Sequence, residues 1–139
     1  MRISLSLTSA VALALVVLLT TPFAALGADR TAAPRAKVIQ LKSSGRDFIP
    51  VLTGPPESVS MRSGLVVLAP GKSVGKHSTE QNEELLVVLE GRGEMTFRDG
   101  SKLPVKAQSA LYCPPGTEHD VTNTGTGALR YVYVVAGTR

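Results

Sequence analysis

The chain has 139 residues, 43% of them hydrophobic, 4% aromatic and 19% charged, with a formal net charge of +4. This length suits one small domain and is too short for two separate cores. Its basic residues are scattered without an aromatic platform between them, which argues against nucleic-acid binding, and its one cysteine, Cys113, excludes an internal disulfide.

Arg2 precedes an apolar run from Val11 to Leu19, followed by Thr20-Thr21-Pro22 and the small-residue pattern Ala25-Leu26-Gly27. Residues 1–27 therefore read as a secretory signal peptide cleaved after Gly27, which implies a periplasmic or secreted protein. The apolar run falls short of the ~20 residues a spanning helix needs, so no stable membrane span is expected after cleavage. Residues 28–37 lack periodicity and read as a flexible N-terminal arm.

The single domain is expected over residues 38–139. Within it, short β-branched or alternating runs cover 38–41, 59–68, 84–89, 94–98, 103–105, 110–113, 120–122 and 129–135. Gly54-Pro55-Pro56, Pro70-Gly71, Gly91-Arg92-Gly93, Asp99-Gly100, Pro114-Pro115-Gly116 and Gly125-Thr126-Gly127 punctuate them. Many short strands at near-regular spacing, with no sustained helical period, predict an all-β sandwich or barrel.

Two of these strands are apolar on both faces. Alternation puts Leu86 and Val88 on one side of the 84–89 strand and Leu85, Val87 and Leu89 on the other, and 129–135 behaves the same way. A sheet of this kind needs cover on both sides, from a companion sheet and from either an N-terminal strand or a second subunit. A homodimer is the expectation.

His77 and His119 are the two histidines of the chain. With Glu84 on a converging strand they make a set of two neutral imidazoles and one carboxylate, suited to Fe(II), Mn(II), Ni(II) or Zn(II) with coordination positions left open. Thr79 sits two residues beyond His77 on the same expected strand face, where its hydroxyl is placed to meet a bound water or substrate. Cys113 reads as a small buried apolar residue, with a redox-active thiol near the pocket or a soft metal ligand as the alternatives. Met95, Phe97, Tyr112, Tyr131 and Tyr133 belong by default to the core, with the lining of a ligand cavity as the alternative for all five. Met95, Phe97 and Tyr112, together with Thr79, are the first candidates for that lining.

Gly71, His77, Glu84 and Gly91, followed by Pro114, Gly116, His119 and Asn123, resemble the paired motifs of the cupin superfamily. Thr79 stands where the first motif has a second histidine, and Gln108 where the second motif has its leading glycine. The resemblance covers about residues 59–135. It implies a jelly-roll barrel, a double-stranded β-helix with inward-facing ligands, often dimeric. The function it implies is a metal site, held by His77, Glu84 and His119, that works on a small polar organic molecule. A metal-free or non-catalytic binding module for a sugar or other small metabolite is the alternative, and an assembly role with a vestigial pocket is a third.

Overall fold

The computed structural model describes residues 33–138. The signal-peptide reading of residues 1–27 and the first part of the arm lie outside them.

Nine strands are present and the described residues contain no helix: β1 (Phe48–Thr53), β2 (Arg62–Leu68), β3 (His77–Ser78), β4 (Asn82–Glu90), β5 (Arg92–Phe97), β6 (Lys102–Lys106), β7 (Ser109–Cys113), β8 (Glu118–Asn123) and β9 (Leu129–Gly137). They form a five-stranded sheet in the order β1-β2-β9-β4-β7 and a four-stranded sheet in the order β3-β8-β5-β6. All neighbours are antiparallel. This is the expected all-β jelly roll.

The apolar positions that alternate inward from both sheets meet in one core of Val66, Leu68, Leu86, Val88, Met95, Val105, Cys113, Val121, Leu129 and Tyr131. Full burial of such a Leu or Val side chain contributes about 1.5–3 kcal/mol, and this core is what sets the sheet registers.

At two motif positions the backbone geometry favours glycine. Gly91 turns β4 into β5 at φ +83°, and a Cβ there would stand 2.3 Å from the Ala128 carbonyl oxygen. Gln108, in the turn between β6 and β7, takes φ 65°. That is the left-handed conformation a glycine adopts freely and a glutamine only under strain.

The structure corrects one strand expectation and adds a strand that the sequence reading did not include. Residues 38–41 form no strand, and Val38, Ile39 and Leu41 are exposed; an alternating run without a ladder partner does not become a strand. The edge strand is β1 instead, paired along β2. It contains Pro50, which edge strands tolerate because one side of the ladder is unpaired. Val38–Leu41 therefore provides no strand over the outer face of the five-stranded sheet, where Leu85, Val87, Leu89 and Tyr112 are exposed.

Candidate metal centre

Three strands from both sheets supply the centre. His77 on β3 is the direct cross-strand partner of His119 on β8, and their rings lie 4.3 Å apart, centroid to centroid. Glu84 enters from β4 of the opposite sheet. Its carboxylate Oε2 is 3.3 Å from His119 Nε2 and 4.0 Å from His77 Nε2. One ligand atom from each residue falls within 4.8 Å of the other two. Ligands bound at about 2.0–2.2 Å to one ion stand roughly 3 to 4.4 Å from each other, so the set is close to closed around a single point.

Both imidazoles are aimed in the same way. His77 Nδ1 lies 2.9 Å from the Gly75 carbonyl oxygen and His119 Nδ1 lies 3.2 Å from that of Thr117. A carbonyl oxygen only accepts, so each Nδ1 carries the proton and donates. In the neutral ring this leaves the Nε2 lone pair free and pointed at Glu84. The His119 side chain has no solvent exposure, and its Nε2 has no well-formed hydrogen bond. A buried nitrogen left without a partner is costly. An ion between Nε2 and the carboxylate removes that cost, so the residues present fit a divalent metal.

Electrostatics agree with this geometry. Burial by itself pushes the His119 imidazolium down, but Glu84, whose carboxylate accepts a hydrogen bond from Nε2 only in the protonated ring, the Thr117 carbonyl and the charge of Asp120 outweigh it and raise the pKa above its ordinary value. His119 thus sits in a negative potential that suits a cation.

Thr79 lies at this centre but in another role than expected. It follows β3 instead of belonging to it, is 6% exposed, and has its hydroxyl engaged twice. Oγ1 donates to the Pro114 carbonyl at 2.8 Å and accepts from the Thr117 amide at 2.9 Å. The hydroxyl fastens the Pro114–Thr117 turn to the loop after β3 and is not held free for water or substrate. Glu80, next to it, takes φ 51°.

A cavity of about 430 Å³ opens beside the triad. Val66, Leu86, Val121 and Tyr131 form its apolar wall, and Thr79 is among its lining residues. Three pocket candidates are placed elsewhere. Met95 is fully buried in the core, where the Cys113 thiol donates to its sulfur at 3.5 Å. Phe97 packs at the edge of that core. Tyr112 is 56% exposed on the outer face of β7, with its hydroxyl donating to Glu83; pairing with Leu85 sets it on the same outward side. Cys113 is buried in the core, and burial together with the charge of Glu84 pushes its thiol up to about 11. It is not part of the metal-ligating set.

Sequence reasoning missed Phe48, Arg62 and Lys76, which also line the cavity, and it preferred the core to the cavity for Tyr131 and Tyr133, which line it as well. Alternation along β2 carried the signal for Arg62, since Val66 and Leu68 face inward and Arg62 is in phase with them.

Asn123 ends β8 fully buried. Its Nδ2 donates to the carbonyls of Leu68 and Gly127, both at 2.8 Å, and its Oδ1 accepts from the Gly125 amide at 2.8 Å. This motif residue is a brace between strands and does not reach the triad.

With two antiparallel sheets and a two-histidine, one-carboxylate centre between them, the class is an all-β barrel with an internal metal-type site. Residues 64–135 match the cupin domain family (Cupin_2), and the chain belongs to that family. Among characterised sequences it is similar to the protein named polyketide synthase CurC of Streptomyces cyaneus, with 31% identity over 108 residues, covering 71% of this chain and 68% of that one. It is also 36% identical over 69 residues to the oxalate-binding protein of Thermotoga maritima, covering 49% of this chain and 55% of that one. The chain thus spans little more than half the length of this second relative. Among solved structures, BH2720 from Bacillus halodurans superposes with a TM-score of 0.66 at 23% identity, over 76% of this chain and 84% of that one, a likeness of fold.

Proposed function

We propose that this chain is an exported cupin that holds one divalent transition metal, Fe, Mn, Ni or Zn, through His77, Glu84 and His119 and acts on a small polar organic molecule in the adjoining cavity. The observation that carries this reading is the pair of Nδ1 donors fixed on the Gly75 and Thr117 carbonyls, which leaves both Nε2 lone pairs directed at one buried carboxylate. A divalent ion at this point supplies Lewis acidity and open coordination positions for a substrate oxygen. The protein's part is to orient: the Gly75 and Thr117 carbonyls hold the imidazoles, β4 holds the carboxylate, and the apolar wall of Val66, Leu86, Val121 and Tyr131 keeps bulk water from one side of the ligand. The relative named oxalate-binding protein supports a small polar ligand. Export rests on Arg2, the apolar run Val11–Leu19 and the Ala25-Leu26-Gly27 pattern.

A homodimer forms part of the same reading. The exposed outer row of Leu85, Val87, Leu89 and Tyr112 gives a second subunit an apolar surface to cover.

Soaking the purified protein in each of the four ions, removing the excess and measuring bound metal together with the melting temperature tests the metal reading. Near-stoichiometric retention with a raised melting temperature is expected, as ligand linkage requires. Retention of none of the ions overturns the reading and favours the metal-free binding module, for which the engaged hydroxyl of Thr79 at a motif position is the supporting observation.

A further inference from the structure

We infer that the end of the barrel away from the metal centre binds a phosphoryl group, held by Arg92 and Lys106. This site is separate from the function proposed above and does not depend on a metal.

Three connections gather at that end: the turn from β4 to β5 at Gly91, the turn from β6 to β7 at Ala107 and Gln108, and the 124–127 loop between β8 and β9. Arg92 opens β5 and is the direct cross-strand partner of Lys106, the last residue of β6. Residues so paired have Cβ atoms about 5 Å apart, and like charges at that spacing repel. The metal centre lies at the other end of β5, where Phe97 pairs with His119. Arg92 stands five residues before Phe97 on that strand, which at the rise of an extended chain is roughly 17 Å.

Two clefts of about 520 and 410 Å³ flank the pair, and Arg92 and Lys106 line both. Ser109 and Thr124 join them in the first, Gly125 and Thr126 in the second. No aspartate or glutamate lines either one. The acidic residues flanking Arg92 in the chain are engaged elsewhere, Glu90 with Arg130 at 3.2 Å and Glu94 with Lys102 at 2.6 Å. Among the described residues neither Arg92 nor Lys106 has an ion-pair partner, whereas Lys37, Lys102 and Arg130 each have one.

The surroundings are held in shape. Buried Asn123 accepts from the Gly125 amide and donates to the Gly127 carbonyl, which braces the 124–127 loop. A Cβ at Gly125 would stand 3.1 Å from Arg92 Cγ, so the absent side chain lets this loop lie along the arginine stem. The Ser109 hydroxyl accepts from the Lys106 amide at 3.3 Å and ties the turn that carries the lysine.

Charge and shape select the ligand. Two adjacent positive charges call for a compact dianion, since a single carboxylate offsets one of them alone. A phosphoryl group offers three oxygens at once to a guanidinium fork, an ammonium and neighbouring hydroxyls. Such a group comes from a soluble phosphate or phosphate monoester, which suits a concave cleft, or from the headgroup of an anionic lipid.

Titrating the isotope-labelled protein with inorganic phosphate at constant ionic strength, followed through its backbone amides by NMR, tests the inference. Saturable shifts are expected in residues 91–93, 105–107 and 124–127, with the amides of 117–119 unmoved and acetate at least about tenfold weaker. Arg92→Gln and Lys106→Gln are each expected to weaken phosphate about tenfold. Arg98→Gln removes the same charge just beyond the far end of β5 and is expected to leave binding unchanged. Sedimentation with vesicles of phosphatidic acid in phosphatidylcholine separates the two sources. Phosphate shifts without vesicle binding assign the site to a soluble phosphate, and vesicle binding that Arg92→Gln abolishes assigns it to a headgroup. Phosphate shifts no larger than those of acetate together with no vesicle binding overturn the inference, as does binding of either probe that survives both substitutions.

Discussion

Thr79 and Thr117 are joined by hydrogen bonds running in both directions. The Thr79 amide donates to the Thr117 carbonyl at 3.1 Å, and the Thr117 amide donates to the Thr79 hydroxyl at 2.9 Å. The same Thr117 carbonyl takes the Nδ1 proton of His119. A residue that ligates nothing is thereby coupled to the aim of a metal ligand through one peptide group.

Replacing Thr79 by valine keeps its shape and leaves the Thr117 amide without its acceptor. The expected cost is about 1–3 kcal/mol in urea unfolding, with metal affinity lowered roughly tenfold because the turn holding His119 loosens. Thr79→Ser retains the hydroxyl and is expected to stay near wild type in both measurements. If the valine variant binds metal as tightly as the parent, the turn does not govern His119.

Asn123 uses three of its side-chain hydrogen-bonding positions while buried, joining the end of β8 to β2 and to the 124–127 loop. Asn123→Ala leaves two carbonyls and one amide short of a partner. A loss of about 2–4 kcal/mol is expected by chemical denaturation. Asn123→Asp removes both donors and buries a charge, so it is expected to lose at least as much.

At Gln108 the left-handed backbone disfavours any residue with a Cβ. Gln108→Gly relieves that strain, partly offset by the greater freedom of glycine in the unfolded chain. A net gain of roughly 0.5–1 kcal/mol is expected, with metal content unchanged. A melting temperature at or below the parent's would show that the turn carries no such strain.

Cys113 gives a pH test. Burial and then the charge of Glu84 raise its pKa from 9.0 to about 11. Between those values the unfolded thiol ionises while the native one stays protonated, so the native state binds more protons and its stability falls as pH rises from 9 to 11. Cys113→Ala is expected to flatten that slope. At pH 8 the native thiol is expected to resist a disulfide reagent that titrates it fully in urea.

Much of the barrel was legible because turn residues and alternation recur along the chain, and the triad because its residue types fall on motif spacing. What could not be read depended on partners distant in sequence. Val38 to Leu41 has strand composition but no neighbour to pair with, while Phe48 to Thr53, interrupted by Pro50, has β2. Tyr112 faces outward because its register with Leu85 decides its side, and one residue of slip would reverse it. The bonds of Thr79 run to Pro114 and Thr117, more than thirty residues away, and nothing local to Thr79 announces them.

The two histidines of the centre differ sharply in access. His119 has a fully enclosed side chain, whereas that of His77 is 44% exposed. One ligand is sealed into the barrel wall and the other forms the door. Capture of an ion is expected to begin on the exposed ring and to end at the buried pair, with release following the reverse order. On the metal reading proposed above, the exposed ring governs how readily an ion enters and leaves, while all three residues share in the equilibrium affinity.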